Sequence, residues 1–373
     1  MEKLIPFFGT AREHSTLKKQ LLNVCDRTLL HGISLQGPEV KEFEKEIGAF
    51  TNRQYAIAVG SCTDALYFGL KSLNITTGDE VIVSAYSFVA SASCILRVGA
   101  KPVFIDVNEN GNMQIENVRQ AINANTKAII YVHMFGLLEN AKELQELAKS
   151  NGLSLIEDAA QAFGAGENSC MAGSIGDLSC FSFDPTKVLS APGSGGMLLT
   201  DSTDIAVCTR ELRYHGKTEE GINEQLGYNS QMPSITAGIL LEKFKYEEKS
   251  RKRRIEIATH YIRELSDTKL GLPPMCSQNN HVFHKFVIRS DSRDDLKNYL
   301  TKLGIPSLIH YAKTLPEIPL FAEYKEPVNN LLNAKKLSQK ALSLPIHAYL
   351  SDEEVSRIIT SVHRGIKLLK NKN

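Results

Sequence analysis

Ala128-Ile-Ile-Tyr-Val132, Ala141-Lys-Glu-Leu-Gln-Glu-Leu-Ala-Lys-Ser150 and Leu153-Ser-Leu-Ile-Glu157 follow one another as apolar run, amphipathic segment and apolar run. Leu144, Leu147 and Ala148 recur at helical spacing in the middle segment, and Gly152 stands just past its end, where a helix commonly stops. The flanking runs are apolar throughout instead of alternating, as in strands covered on both faces. Strand, helix and strand in this order predict a parallel pair joined by a right-handed crossover. The pattern extends outward through Ala56-Ile-Ala-Val-Gly60, Glu80-Val-Ile-Val-Ser84 and Pro102-Val-Phe-Ile-Asp106. It continues in Leu178-Ser-Cys-Phe-Ser-Phe183 and Gly196-Met-Leu-Leu-Thr200. The chain therefore reads as an α/β protein with a mostly parallel central sheet in a large domain, residues 1–245.

A smaller C-terminal α/β domain is expected over 246–373, with the N-terminal segment of the chain packing on it. There His281-Val-Phe-His-Lys-Phe-Val-Ile288 reads as a strand, Arg293 to Leu303 as a helix and Leu350 to Leu369 as a last helix. The run Glu247-Glu-Lys-Ser-Arg-Lys-Arg-Arg254 reads as the solvated face of a linking helix, with acids and bases three or four apart, not as a nucleic-acid site. A length of 373 residues suits two domains, and a formal net charge of +1 provides no general attraction for nucleic acid or an acidic membrane. No segment approaches a membrane span, and the brief apolar start lacks the form of a signal peptide. The 7 cysteines are scattered without a C-x-x-C pair, which predicts reduced thiols, a cytoplasmic protein and no metal site.

In open α/β sheets ligands bind beyond the carboxyl ends of the strands. Three segments lie at such ends. Glu157-Asp158-Ala-Ala-Gln161 closes an apolar strand with a carboxylate, which is either a helix cap or a desolvated group in need of a cation. Ser182-Phe-Asp-Pro-Thr-Lys187 places an amine just after another strand, as a surface lysine or as a nucleophile toward an aldehyde. Downstream, Gly193-Ser-Gly-Gly196 supplies backbone that can approach a ligand closely. Gly60-Ser-Cys-Thr-Asp-Ala-Leu66 opens a helix, where Ser61 and Thr63 are simple caps or parts of a phosphate site. Together these are the three handles required by pyridoxal 5′-phosphate (PLP): an amine for the aldehyde, an acid for the pyridine nitrogen and a helix N-terminus for the phosphate. Phe88, following the run that ends at Ser84, is placed to stack on the ring.

The sequence resembles the DegT/DnrJ/EryC1/StrS family of PLP-dependent sugar aminotransferases, of the aspartate-aminotransferase fold type. The resemblance runs through Gln36-Gly-Pro-Glu-Val-Lys-Glu-Phe-Glu44, Gly78-Asp-Glu-Val-Ile-Val83, Phe88-Val-Ala90 and Gly99-Ala-Lys-Pro-Val-Phe-Ile-Asp106. It continues in Glu157-Asp-Ala-Ala-Gln161, Pro185-Thr-Lys187, Tyr214-His-Gly216, Gly227-Tyr-Asn229, Ile309-His-Tyr311 and Leu342-Ser-Leu-Pro-Ile-His347. The resemblance implies that Lys187 binds the cofactor covalently and that Asp158 pairs with the pyridinium. Gln161 would lie by the ring hydroxyl; Ser182, Cys62 and Thr63 would hold the phosphate; and Phe88 would cover the ring. It further implies a homodimer with shared active sites, in which Asn229 reaches the phosphate of the partner subunit. Relatives that dehydrate instead carry histidine at the lysine position, so Lys187 selects transamination.

The implied reaction aminates a nucleotide-linked keto-deoxysugar, with glutamate as donor, for surface-polysaccharide or glycoconjugate biosynthesis. Departures from the family pattern occur at Val188, Ser194, Gln231 and Phe163, and are expected to touch the substrate side more than the cofactor side. Two alternatives stand beside this reading. One is another PLP enzyme of the same fold type acting on amino acids, which a substrate screen would separate. The other is a non-catalytic regulatory relative, which would show no cofactor absorbance.

Overall fold

The computed structural model describes residues 4–167, 170–277, 279–324 and 330–370. Its strands are β1 (Tyr55–Val59), β2 (Glu80–Ser84), β3 (Lys101–Ile105), β4 (Thr126–Val132), β5 (Ser154–Asp158), a short hairpin β6 (Gly166–Glu167) and β7 (Cys170–Met171), β8 (Leu178–Ser182), β9 (Gly196–Thr200), β10 (Phe286–Arg289) and β11 (Ala341–Leu344). Seven of them form one sheet in the order β1-β9-β8-β5-β4-β2-β3. Neighbours from β8 to β3 run parallel, and only β9 is reversed, antiparallel to both β1 and β8. The helix between β4 and β5 spans Ala141–Ser150 with Leu144, Leu147 and Ala148 buried, and Gly152 adopts a φ of +64° beyond it.

Side chains alternate across a strand, so each apolar strand contributes to two cores. Val81, Val83, Ala128, Ile130 and Ile156 pack on one face of the sheet, whereas Ile82, Ile129, Tyr131 and Leu155 pack on the other. A third core gathers Ile257, Tyr261, Phe286, Ile288, Leu342, Leu344 and Ile358, and Ile5 from the beginning of the chain packs into it.

The run from His281 is a strand only over its second half. Val282 donates to the Gly136 carbonyl, and the chain then turns through Phe283 at φ +47° before β10 pairs with β11. The first half therefore lies against the segment that follows the carboxyl end of the interior strand β4. The charge run also differs from expectation in part. Glu247–Arg251 and Lys252–Glu248 are neighbouring ion pairs on the helix Glu247–Leu265. Glu247 and Arg254, however, are buried; Arg254 Nη1 donates to the Phe283 and Ile346 carbonyls, and burial pulls its pKa to about 10. Its row on the helix faces the third core, which the charge pattern alone conceals.

Two buried histidines make stability depend on pH. His281 stacks on Phe283 at 3.7 Å and accepts from its N–H, and His347 donates from Nε2 to the Pro6 carbonyl. Burial lowers their pKa values to about 3 and about 4. Below the ordinary pKa near 6.5 the unfolded chain takes up protons that the folded chain refuses, so stability falls as pH drops. Between pH 7 and 5.5 the expected loss is about 1 kcal/mol for each histidine. Denaturant melts across that range check this, and a flat profile contradicts it.

Candidate active site

The turn that carries Lys187 is built by its own sequence. Asp184 accepts the Lys187 N–H on its carbonyl at 2.9 Å and the Thr186 N–H on Oδ1 at 2.9 Å, with Pro185 between them. This is a β-turn with aspartate first and proline second, the positions each favours. The flanking backbone is clamped by Phe183 N–H to the Gly195 carbonyl and Ala191 N–H to the Phe183 carbonyl. Lys187 is thereby presented at the carboxyl end of β8, between the antiparallel strands β8 and β9.

Asp158 ends β5 and is 5% exposed. Its Oδ2 accepts from Ser91 Oγ at 2.7 Å and its Oδ1 from the Ala160 N–H at 3.2 Å, while Ser87 Oγ lies 2.9 Å from Ser91 Oγ. Among the described residues no cation pairs with it directly. Burial raises its pKa, opposed by the Ser91 hydrogen bond, the Ala160 N–H and the charges of Lys187 and His133. The Lys187 ammonium is shifted the other way: burial lowers its pKa, and the carboxylates of Asp158 and Asp184 only partly restore it. A desolvated acid without a cation and an amine pushed toward its neutral form thus share one site.

The preceding residue of β5 has a different seat. Glu157 is fully buried and accepts from the N–H groups of Gly173 and Ile175, from Ser179 Oγ at 2.6 Å, and faces His133 Nε2 at 2.5 Å. It serves the opposite side of the sheet from Asp158.

After β1 the chain turns at Gly60 into the helix Cys62–Ser72. Ser61 is its cap, accepting the Asp64 N–H at 3.1 Å, so Thr63 is not. Helix geometry leaves the N–H groups of Cys62 and Thr63 without partners within the helix, at its positive end. The Asp64 carboxylate beside them is occupied by Ser61 Oγ, Ser230 Oγ and Arg97. The helix begins directly over β9: a side chain at Gly196 would meet the Ser61 carbonyl carbon at 2.2 Å and the Cys62 nitrogen at 2.4 Å. Only glycine permits that approach.

Lys187, Asp158, Cys62, Thr63, Phe88, Gln161 and Ser182 all line one cleft, of about 1030 Å³ including its open mouth. Phe88 is 51% exposed at its rim, 6.2 Å from the Tyr311 ring. Gln161 Oε1 accepts the Phe135 N–H at 3.0 Å, leaving its amide beside the Tyr311 hydroxyl. Asn229 does not line this cleft; it is exposed and accepts from Gln231 Nε2. Of the departures from the family pattern, Ser194 lines the cleft and donates to the Gly60 carbonyl. Phe163 instead lies in the core, stacked on Phe50 and touching Phe181, away from any substrate.

Ser91, His284, Lys285, His310 and Tyr311 join the cleft without having been singled out individually. Ser91 reaches the cleft from the helix Ala90–Arg97 that follows Phe88. Tyr311 is held by its N–H donating to Tyr86 Oη at 2.7 Å, while that hydroxyl donates to the His310 carbonyl. These contacts join elements far apart in the chain and leave no local pattern.

The residues fit PLP. The buried Asp158 carboxylate lacks a cation that a protonated pyridine nitrogen supplies, the open helix N-terminus suits a phosphate, and the amine of Lys187 faces the same space.

Residues 15–363 match the sequence model of the DegT/DnrJ/EryC1/StrS aminotransferase family. The chain is 35% identical to a UDP-N-acetyl-3-dehydro-α-D-glucosamine 3-aminotransferase of Acidithiobacillus ferrooxidans, covering 97% of this chain and 98% of that protein. It is 34% identical to a pleiotropic regulatory protein of Geobacillus stearothermophilus, covering 96% and 97%. Among solved structures, NtdA of Bacillus subtilis with its cofactor PMP bound superposes with a TM-score of 0.91 at 28% identity, covering 98% of this chain and 86% of that one. The chain belongs to the DegT/DnrJ/EryC1/StrS aminotransferase family and is a PLP-dependent aminotransferase of fold type I.

Proposed function

We propose that this enzyme transfers an amino group from glutamate to the keto group of a nucleotide-linked deoxysugar, in the cytoplasm, for surface-polysaccharide or glycoconjugate assembly. The observation that carries the reading is the presence of Lys187 and Asp158 in one cleft, within a chain so similar to a UDP-sugar aminotransferase.

In this reading Asp158 holds the proton of the ring nitrogen, and Ser91 keeps the carboxylate aimed there. Ser182, Thr63 and the N–H of Cys62 hold the phosphate, Gln161 lies by the ring hydroxyl and Phe88 covers the ring. When bound, the cofactor supplies an electron sink for the carbon that loses its proton. Lys187 does the rest of the proton work: its amine, whose pKa burial lowers, takes the proton from the donor's α-carbon and returns one to the carbon being aminated. Phe88 and Tyr311 narrow the mouth of the cleft and limit water.

A homodimer belongs to the same proposal, with Asn229 serving the partner subunit's phosphate. Its exposure outside its own cleft supports this, as do the exposed Leu29, Leu30, Ile33, Leu35 and Leu226, which a partner would cover. We assign residues 1–245 to the cofactor-binding domain and 246–373 to the smaller one; the third core supports the division, although Leu315, Phe321, Ala334 and Leu337 pack into the first core.

Nucleotide-linked 3-amino and 4-amino deoxysugars, added singly to the holoenzyme, test the function. At least one should convert the bound cofactor to its amino form, followed by absorbance, and 2-oxoglutarate should restore the starting spectrum. A panel in which free amino acids react but no nucleotide sugar does would favour an amino-acid enzyme of the same fold.

A further inference from the structure

Among the described residues, Lys285 is the one ammonium in the cleft, besides Lys187, that the chemistry above does not use. It is 6% exposed, and among the described residues no carboxylate or carbonyl pairs with it. Its Nζ lies 4.5 Å from the centre of the Phe8 ring and 5.5 Å from that of Phe7. Two aromatic faces favour a cation, but they replace only part of the hydration that burial removes. The surrounding charge makes the deficit larger. Lys187 and Arg254 act on Lys285 with the same sign, and only Asp184 opposes them. His284 and His310 stand in the same field, and His284 Nδ1 is buried without a hydrogen-bond partner among the described residues. Packing alone would be met by methionine at no electrostatic cost.

We propose that Lys285 binds a substrate carboxylate, carried either by the amino-acid donor or by the sugar ring as a uronic acid. This rests on the aminotransferase reading above and deepens it by naming the group the substrate must carry. Lys285 and Lys187 line the same cleft and sense each other's charge, so the anion belongs close to the carbon that Lys187 serves. An α-carboxylate and a ring carboxylate both meet that condition. A phosphate is the weaker candidate, because the N–H groups that suit one open at Cys62 and Thr63, at the start of a different helix. Burial and the neighbouring cations pull the Lys285 pKa to about 7, and a bound carboxylate would restore its charge.

The geometry behind it is the kink at Phe283. Positive φ at that residue turns the backbone out of the extended path, and the two positions that follow, His284 and Lys285, are the ones that line the cleft before β10 begins at Phe286.

Single-turnover reactions of the holoenzyme test the assignment, with cofactor absorbance as the readout. The probes are L-glutamate, a nucleotide-linked amino-hexuronate, and the corresponding amino-hexose with a hydroxymethyl group in place of the carboxylate. Lys285→Met should raise the half-saturating concentration at least tenfold for glutamate, which identifies the donor as the source. Alternatively it should do so for the hexuronate and not for its hydroxymethyl counterpart, which identifies the sugar. Lys285→Arg should recover part of either loss. The proposal is overturned if all probes stay within twofold, or if both sugars shift equally while glutamate does not. Should Lys285→Met lose the cofactor, Lys285→Gln takes its place, and cofactor loss in both variants also overturns it. Failure of wild-type enzyme to react with any nucleotide sugar would count against the function itself, a separate outcome.

Discussion

Asp158→Asn is expected to keep the fold and to lose ~10²- to 10³-fold in the rate of transamination, the scale on which removal of a buried electrostatic contact to a reacting system is felt. The amide has the shape of the carboxylate and can still accept from Ser91 Oγ and the Ala160 N–H, so the neighbouring backbone has no reason to move. It carries no charge, however, and cannot hold a proton on the ring nitrogen. The stability of the cofactor-free protein separates this from misfolding. Burial raises the pKa of Asp158, so the ionised form costs stability at every pH above the ordinary aspartate value. Removing the charge should leave the cofactor-free variant melting no lower than cofactor-free wild type, while the gain in melting temperature from added PLP shrinks. A variant that turns over at the wild-type rate would reduce Asp158 to a cap.

Lys187→Ala should remove turnover by ~10²- to 10⁴-fold for the lost proton transfer alone. The same variant can report on how subunits share the work. Asn229→Asp places a carboxylate where the proposed dimer brings a phosphate dianion, and repulsion should weaken PLP binding. Mixed under exchange conditions, the two inactive homodimers form a hybrid in which one site has Lys187 from one chain and Asn229 from the other. Its second site has both defects. Recovery of about half the wild-type activity per hybrid is expected, whereas no recovery with exchange verified by mass excludes an Asn229 acting across the interface.

What could be read from the chain follows from how local each signal is. Glu80–Ser84, Gly196–Thr200 and Ala141–Ser150 form the elements expected at those residues, because uniform apolarity and 3.6-residue spacing are properties of short windows. That Lys187 and Asp158 lie at the cleft was legible for a related reason: Asp158 follows directly on an apolar run, and Lys187 stands in the short turn that leaves one. Lys285 was not, since its segment reads as one strand until Phe283 turns it toward the cleft. Arg254 was hidden inside a charge run that looks uniformly solvated, and Phe163, expected toward the substrate as a departure from the family pattern, faces the core, since a place in a motif says nothing about the facing direction. Ser91 meets Asp158 across 67 residues of chain, a distance that no local pattern spans.

Glu157 and Asp158 occupy receptors of different kinds on opposite sides of β5, one a ring of backbone amides, a hydroxyl and an imidazole, the other an open cleft with a single hydroxyl beside it. The strand is therefore indexed like a key with two unlike teeth. Sliding it by one residue in one direction would bring Glu157 into the cleft and leave Ile156 before the amides, and in the other would set Asp158 before the amides and leave Ala159 in the cleft, so both locks would fail together. Insertions should accordingly accumulate in the connections on either side of β5 and be excluded from the strand itself, and a redesign that swaps its apolar residues freely must leave this pair of acids in phase.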